Sequence, residues 1–289
     1  MKKIIKSLLI VFSGVLLTTG CFKNDTMEDI DIVVTKYPIE YAINELYGSY
    51  SNITSIYPNG INTEEYNLTD KKKKEYSKKD LFIYNGLSKE NDIAIDFINN
   101  NKKLKLIDIS NGLEINDNEE ELWFNPSNYL MIAQNIKNDL SSYIDSTVIL
   151  QNINANYEKL KLTISTYDAQ LNTIAENANN KNIIVTNNAF KFLERYGFTV
   201  YSLDEKNFTS ASYNSALTLA QNKKVSYIFS LEGDEENEKV KNLLNLGLTK
   251  VNVKRLGNLN DVDRNNKIDY VTIMDSFLEN LRQEVYSND

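Results

Sequence analysis

The side chains of this chain that could do chemistry are nearly all carboxylates and amides. Its 289 residues include 40 Asp and Glu, one cysteine, Cys21, and no histidine. Without histidine there can be no Ser-His-Asp or Cys-His triad and no imidazole-held zinc, iron or haem. A nucleophile–base pair would need lysine or carboxylates instead, so the chain reads as a binding protein and not an enzyme. Carboxylate and amide oxygens are suited to hard divalent cations. EEELWFNP (119–126) sets three consecutive glutamates against the only tryptophan, Trp123. DVDRNNKID (261–269) places Asp261, Asp263, Asn265 and Asp269 at the spacing of a calcium loop. There Asn266 stands where glycine is usual, and Thr272 where a bidentate glutamate belongs. A plain polar loop before the last helix is the alternative.

The N-terminus has a different character. Lys2, Lys3 and Lys6 precede an apolar run, Ser7–Leu17, too short to span a bilayer. Thr18-Thr19-Gly20-Cys21 follows and resembles the lipobox of bacterial lipoproteins, with Thr18 where a leucine is usual. Residues 1–20 are therefore expected to be a lipoprotein signal peptide, with lipidation at Cys21 and a polar tether to residue 29. Removing 1–20 takes away three lysines and no acid, which makes an already acidic chain of formal charge -8 more so. That balance disfavours a nucleic-acid surface. The run Lys71–Lys74 reads as a solvated helix face, with anionic headgroups as the alternative.

These residues need a scaffold to bring them together. DIVVTK (31–36), SNITSIYP (51–58), LFIYNG (81–86) and LKLIDIS (104–110) read as strands, separated by helical periodicity at 37–48, 70–80 and 89–100. A helix is expected from Pro126 to about Ile144. Residues 147–178 lack Gly and Pro and repeat apolar residues every three to four positions, which predicts one helix of about 30 residues. Strands at 182–186, 198–203, 226–231 and 250–256 then alternate with helices at 189–197, 212–224, 234–247 and 269–285. Alternating β and α predicts parallel sheets, with ligands at the carboxyl ends of the strands. The loops 58–69 and 111–122 lie at such ends.

Several motifs in order resemble one family. DIVVTKYPIEYAINELYG resembles its opening strand, Tyr-Pro turn and first helix. DLFIYNGL, LWFNPSNYLMIAQNIKNDL, IIVTNNAFKFLERYGF and DYVTIMDSFLENL resemble four later segments. The family is that of the solute-binding lipoproteins of zinc/manganese ABC importers. The resemblance implies capture of a divalent metal between two lobes and delivery to a permease and its ATPase. Such proteins usually hold the metal with three histidines and a carboxylate. Matched motif by motif, those positions fall on Glu64, Glu121 and Asn187, and on Leu231 or Glu232, with Glu232 taken as the candidate. An all-oxygen set would bias the site toward a hard, Mn-like ion, with Zn left open. Loss of metal binding, with the cleft serving a protein partner or a small molecule, is the alternative reading.

The expected fold is α/β, with two lobes each carrying a parallel sheet flanked by helices, joined by one long rigid helix. The expected division is a lobe at 30–146, a linking helix at 147–178 and a lobe at 179–289. The protein is expected to be a monomer, anchored outside the cell membrane through Cys21.

Overall fold

The computed structural model describes residues 27–115, 118–204 and 209–287, so Cys21 and the signal segment lie outside the described residues. Strands form where β-branched and aromatic residues run together. β1 (Ile30–Val34), β2 (Ser51–Ser55), β3 (Leu81–Tyr84) and β4 (Lys105–Asp108) pair in parallel in the order β2-β1-β3-β4. β5 (Asn182–Val185), β6 (Thr199–Ser202), β7 (Tyr227–Leu231) and β8 (Thr249–Val253) repeat the arrangement as β6-β5-β7-β8. All four residues of β3 are buried, as expected of a parallel strand covered on both faces. In each sheet the winding reverses between the two central strands. The carboxyl ends of β1 and β3, and of β5 and β7, are therefore the natural ligand crevices.

The helices of the first half are α1 (Tyr37–Tyr47), α2 (Asp70–Tyr76), α3 (Glu90–Asn100), the short α4 (Glu120–Phe124) and α5 (Pro126–Ser142). α5 starts sharply because Asn125 accepts a hydrogen bond from Ser127 N, and Pro126 has no donor to lose. α6 (Thr147–Glu176) is the long helix, about 45 Å from end to end. It packs on α1 and α5 and also on the last helix, α10 (Tyr270–Tyr286). α7 (Ser210–Gln221), α8 (Glu238–Asn245) and α9 (Asp261–Asn265) complete the second half.

Two elements differ from the sequence expectation. The segment Asn188–Tyr196 is a 3-10 helix, not an α-helix. Three residues per turn bring Ala189 beneath Phe192 and Phe190 beneath Leu193, and all four are buried. The expected helix at 234–247 begins only at Glu238, because the Asn237 side chain accepts from Lys239 N and Val240 N and caps it there.

One apolar core runs through both halves. Trp123 and Phe124 of α4 are fully buried, and Phe124 meets Phe190 and Phe277 at ring-centroid distances of 5.7 and 5.8 Å. Tyr129 of α5 stacks on Tyr270 of α10 at 4.2 Å. The segment EEELWFNP thus has a structural task in its apolar half, which ties the two sheets to a common core.

Candidate functional site

A cavity of about 760 Å³ lies between the two halves at the carboxyl ends of β1, β3 and β7. Its wall includes Lys36 after β1, the loop Gly60–Glu64 after β2, Ser88 and Lys89 after β3, Asn118 to Glu120, and Gly233, Arg255 and Gly257 from the second half.

Lys36 is the centre of this site. Its side chain is only 4% exposed, yet it carries a charge. Its Nζ lies 3.0 Å from Glu119 Oε2, 3.4 Å from Glu64 Oε1 and 3.9 Å from Glu90 Oε1, and it donates to Thr63 Oγ1 at 2.5 Å. Burial alone would lower the ammonium's pKa. The carboxylates of Glu119, Glu90 and Glu64 outweigh it and hold the pKa above the ordinary lysine value. Glu90 shows the opposite balance. Burial first, and then the Glu119 charge, push its carboxyl up to about 7 against the pull of Lys36. Glu90 Oε2 accepts from Asn85 N at 2.9 Å. Glu90 Oε1, Thr35 Oγ1 and Tyr57 OH are buried together, with the Thr35 and Tyr57 hydroxyls turned to the Glu90 carboxyl.

The surrounding polar groups fix the walls. Asn85 Nδ2 donates to Glu119 Oε1 at 2.7 Å, and Lys89 Nζ ties down the Glu64 and Tyr66 carbonyls at 2.6 and 3.0 Å. Asn118 Nδ2 donates across the cleft to Asn187 Oδ1 at 2.8 Å. Arg255 Nη2 donates to Asp234 Oδ1 at 2.5 Å, and Arg255 Nε to the Glu232 carbonyl at 2.9 Å. Glu120 is buried, accepting from Leu256 N at 2.9 Å and Gly257 N at 3.0 Å. A Cβ at position 257 would lie 2.6 Å from Glu120 Oε1, so this close approach requires glycine.

Of the ligands implied by the resemblance, Glu64 alone lines the cavity. Glu121 does not, because α4 begins at Glu120 and its first turn leaves Glu119 and Glu120 on the wall in its place. Asn187 sits just behind, engaged with Asn118 and accepting from Ala189 N at 3.0 Å. The Glu232 carboxylate pairs outside with Lys254 at 3.3 Å, and Gly233 is its neighbour at the wall. The four therefore do not converge. Among the described residues no group of three or more His, Cys, Asp or Glu is arranged to hold a metal ion. The point that Glu64, Glu90 and Glu119 share is filled by Lys36 Nζ.

The calcium-loop spacing also folds otherwise. Asp261–Asn265 form the helical turn α9, capped by Asn260. Asp261 accepts from Asn59 Nδ2 at 2.8 Å, Asp263 is buried against Lys254 at 2.7 Å, and Asp269 caps α10 by accepting from Thr272 N at 2.8 Å. Asn265 lies at the end of the turn. Their oxygens point to separate partners instead of one centre.

Lys36 and Glu90 are not legible in the sequence as site residues. A lone lysine directly after an apolar strand, before Tyr-Pro, is the one signal there. Only the strand order places it in the crevice.

A family model described as ZnuA, zinc-uptake complex component A, periplasmic, matches residues 32–284. A metal ABC transporter substrate-binding lipoprotein of Lactococcus lactis subsp. lactis is 26% identical over 214 residues, covering 66% of this chain and 68% of its own. The manganese-binding lipoprotein MntA of Halalkalibacterium halodurans is 24% identical over 221 residues, 72% of each chain. Among solved structures, the metal-dependent lipoprotein YcdH of Bacillus subtilis superposes with a TM-score of 0.73 at 18% identity, over 90% of this chain and 100% of that one. The Zn(II)-bound ZnuA-like domain of Streptococcus pneumoniae AdcA gives 0.72 at 18% identity, with the same coverage. These structural likenesses establish the fold.

Proposed function

The chain belongs to the ZnuA family of periplasmic zinc-uptake components, and from that premise we propose that it captures a divalent cation in the cleft between its lobes for a metal ABC importer. The family is one of transport-associated binding proteins, not enzymes. One observation carries the reading: carboxylates from three separate segments, Glu64 in the loop after β2, Glu90 at the start of α3 and Glu119 just before α4, gather around a single positive charge. A cleft built in this way attracts cations. Glu64 and Glu119 are the ligands of this proposal, with Glu90 behind them. They take the place of the set Glu64, Glu121, Asn187 and Glu232. Oxygen donors favour a hard, Mn-like cargo over zinc. Cys21 is proposed as the lipid anchor that holds a monomer near the permease and ATPase.

A second reading is favoured by the Lys36 ammonium itself. If it is the permanent counter-ion, the cleft serves no metal, and the protein acts through another small molecule or a protein partner.

Thermal unfolding of the full chain in mild detergent, after chelation, decides between them. Mn²⁺, Zn²⁺, Ca²⁺ and Mg²⁺ are compared on the wild type and on Glu64→Ala/Glu119→Ala. A cation at 100 times its Kd should stabilise the native state by about 2.7 kcal/mol. That gain should vanish in the double variant. No shift with any cation would establish the second reading.

A further inference from the structure

Lys36 presents a physical puzzle. The strand before it is apolar, its side chain is buried, and desolvating an ammonium is costly unless every donor is matched. An ammonium has three N–H donors. Thr63 Oγ1, Glu119 Oε2 and Glu64 Oε1, at 2.5, 3.0 and 3.4 Å, account for all three. Behind them Glu90 Oε1, 3.9 Å from the ammonium, lies beyond its hydrogen-bond reach, with the buried Thr35 and Tyr57 hydroxyls beside it. The pocket therefore offers more oxygens than a lysine can use. A hard divalent ion takes six or more oxygen positions and matches that surplus better.

We propose that Lys36 is a tethered competitor for the cargo. Its ammonium holds the place a divalent cation would take, the cation binds by displacing it, and Lys36 thereby sets how tightly and how selectively the cleft binds. The proposal rests on the metal-cargo reading. Two charges attract three carboxylates more strongly than one, and a coordinated oxygen approaches to about 2.0–2.6 Å, closer than the carboxylate–ammonium distances above. Glu64 sits on a loop with its side chain 67% exposed, so it can follow the smaller ion inward. The displaced amine has four methylenes of reach and opens onto the solvent side of a cavity of about 760 Å³.

The test uses the full chain in detergent, stripped with chelator. Wild type and Lys36→Met are titrated calorimetrically with Mn²⁺. Separately, wild-type lysines are methylated with formaldehyde and borohydride, with and without Mn²⁺, and Lys36 is followed by peptide mass. The expected result is binding at least tenfold tighter in Lys36→Met, and a Lys36 that is protected without Mn²⁺ and becomes methylated at saturation. Wild-type binding matched within twofold by the variant would overturn the proposal and leave the metal-cargo reading intact. Binding by the variant alone would mean that Lys36 is a permanent counter-ion that no cation displaces, which overturns the proposal together with metal capture by the wild type. No binding by either folded protein would overturn both. If Lys36→Met does not fold, Lys36→Gln replaces it, and a Lys36 still unmodified at saturating Mn²⁺ overturns the proposal without any variant.

Discussion

Glu90 and Glu284 are buried carboxylates held in different ways. Glu90 has an ammonium 3.9 Å away, whereas Glu284, 2% exposed on α10, accepts only from Ser226 N and Tyr227 N at the start of β7, at 3.0 to 3.1 Å. Burial pushes the Glu284 carboxyl up to about 7, with the two N–H donors opposing it. Below about pH 4.5 the group is neutral in both folded and unfolded chains, and its contribution to stability is fully present. Between about 4.5 and 7 the folded chain keeps a proton that the unfolded chain releases, so stability falls as pH rises through that window. Glu284→Gln keeps an oxygen for both donors and removes the charge. In urea unfolding, this variant should match the wild type at pH 4 and exceed it by about 1–3 kcal/mol at pH 8, because each tenfold change in proton affinity between the two states corresponds to about 1.36 kcal/mol. Equal stability at pH 8 would mean that the carboxylate is hydrated in the native state.

Among the elements, long ones are legible because their signals are local. The β-branched runs that became β1 and β5, and the Gly- and Pro-free stretch that became α6, carry their own periodicity and stops. The five-residue helices α4 and α9 do not, because tertiary contacts decide whether so short a turn forms. That limit cost the site its detail. Motif matching alone selects Glu121, but the side chains at the wall depend on where α4 begins. Glu64, Glu90 and Glu119 are far apart in sequence and meet Lys36 only through the order β2-β1-β3-β4. The residues 261–269 show the same effect, since their calcium-like spacing serves helix caps. Asp269 accepts from both Thr272 N and Thr272 Oγ1, at 2.8 and 2.7 Å. Asp269→Ala should therefore destabilise the chain by about 1 kcal/mol. In thermal melts the loss should be the same in chelator and in millimolar calcium. A calcium-dependent gain in the wild type that the variant lacks would restore the loop as a cation site.

For the whole molecule, the question is how a cleft between two lobes admits and releases its cargo. The lobes are stitched by the backbone itself. Tyr37 N donates to the Gly257 carbonyl at 3.0 Å, and Gly60 N to the Leu259 carbonyl at 3.1 Å. Gly60 takes a positive φ of 71° to make that approach, and a Cβ there would lie 2.8 Å from Asn260 Cβ. Arg264 closes a fork on Glu40 at 2.6 and 2.8 Å, and buried Glu120 receives two N–H donors from the second lobe. Hydrogen bonds to charged groups contribute about 1.5–3 kcal/mol each. A wide hinge would break several of them, divide the aromatic core around Phe124, Phe190 and Phe277, and bend α6, which packs on both lobes. Cargo exchange should therefore proceed by local movement of Lys36 and the Gly60–Glu64 loop, with the lobes almost fixed. Crystal structures of the full chain with and without bound cation, superposed on the first sheet, should show the second sheet turned by only a few degrees. A rotation beyond about 15°, the scale of rigid-body switching, would mean that the interlobe bonds break in the working cycle and that α6 is a hinge and not a strut.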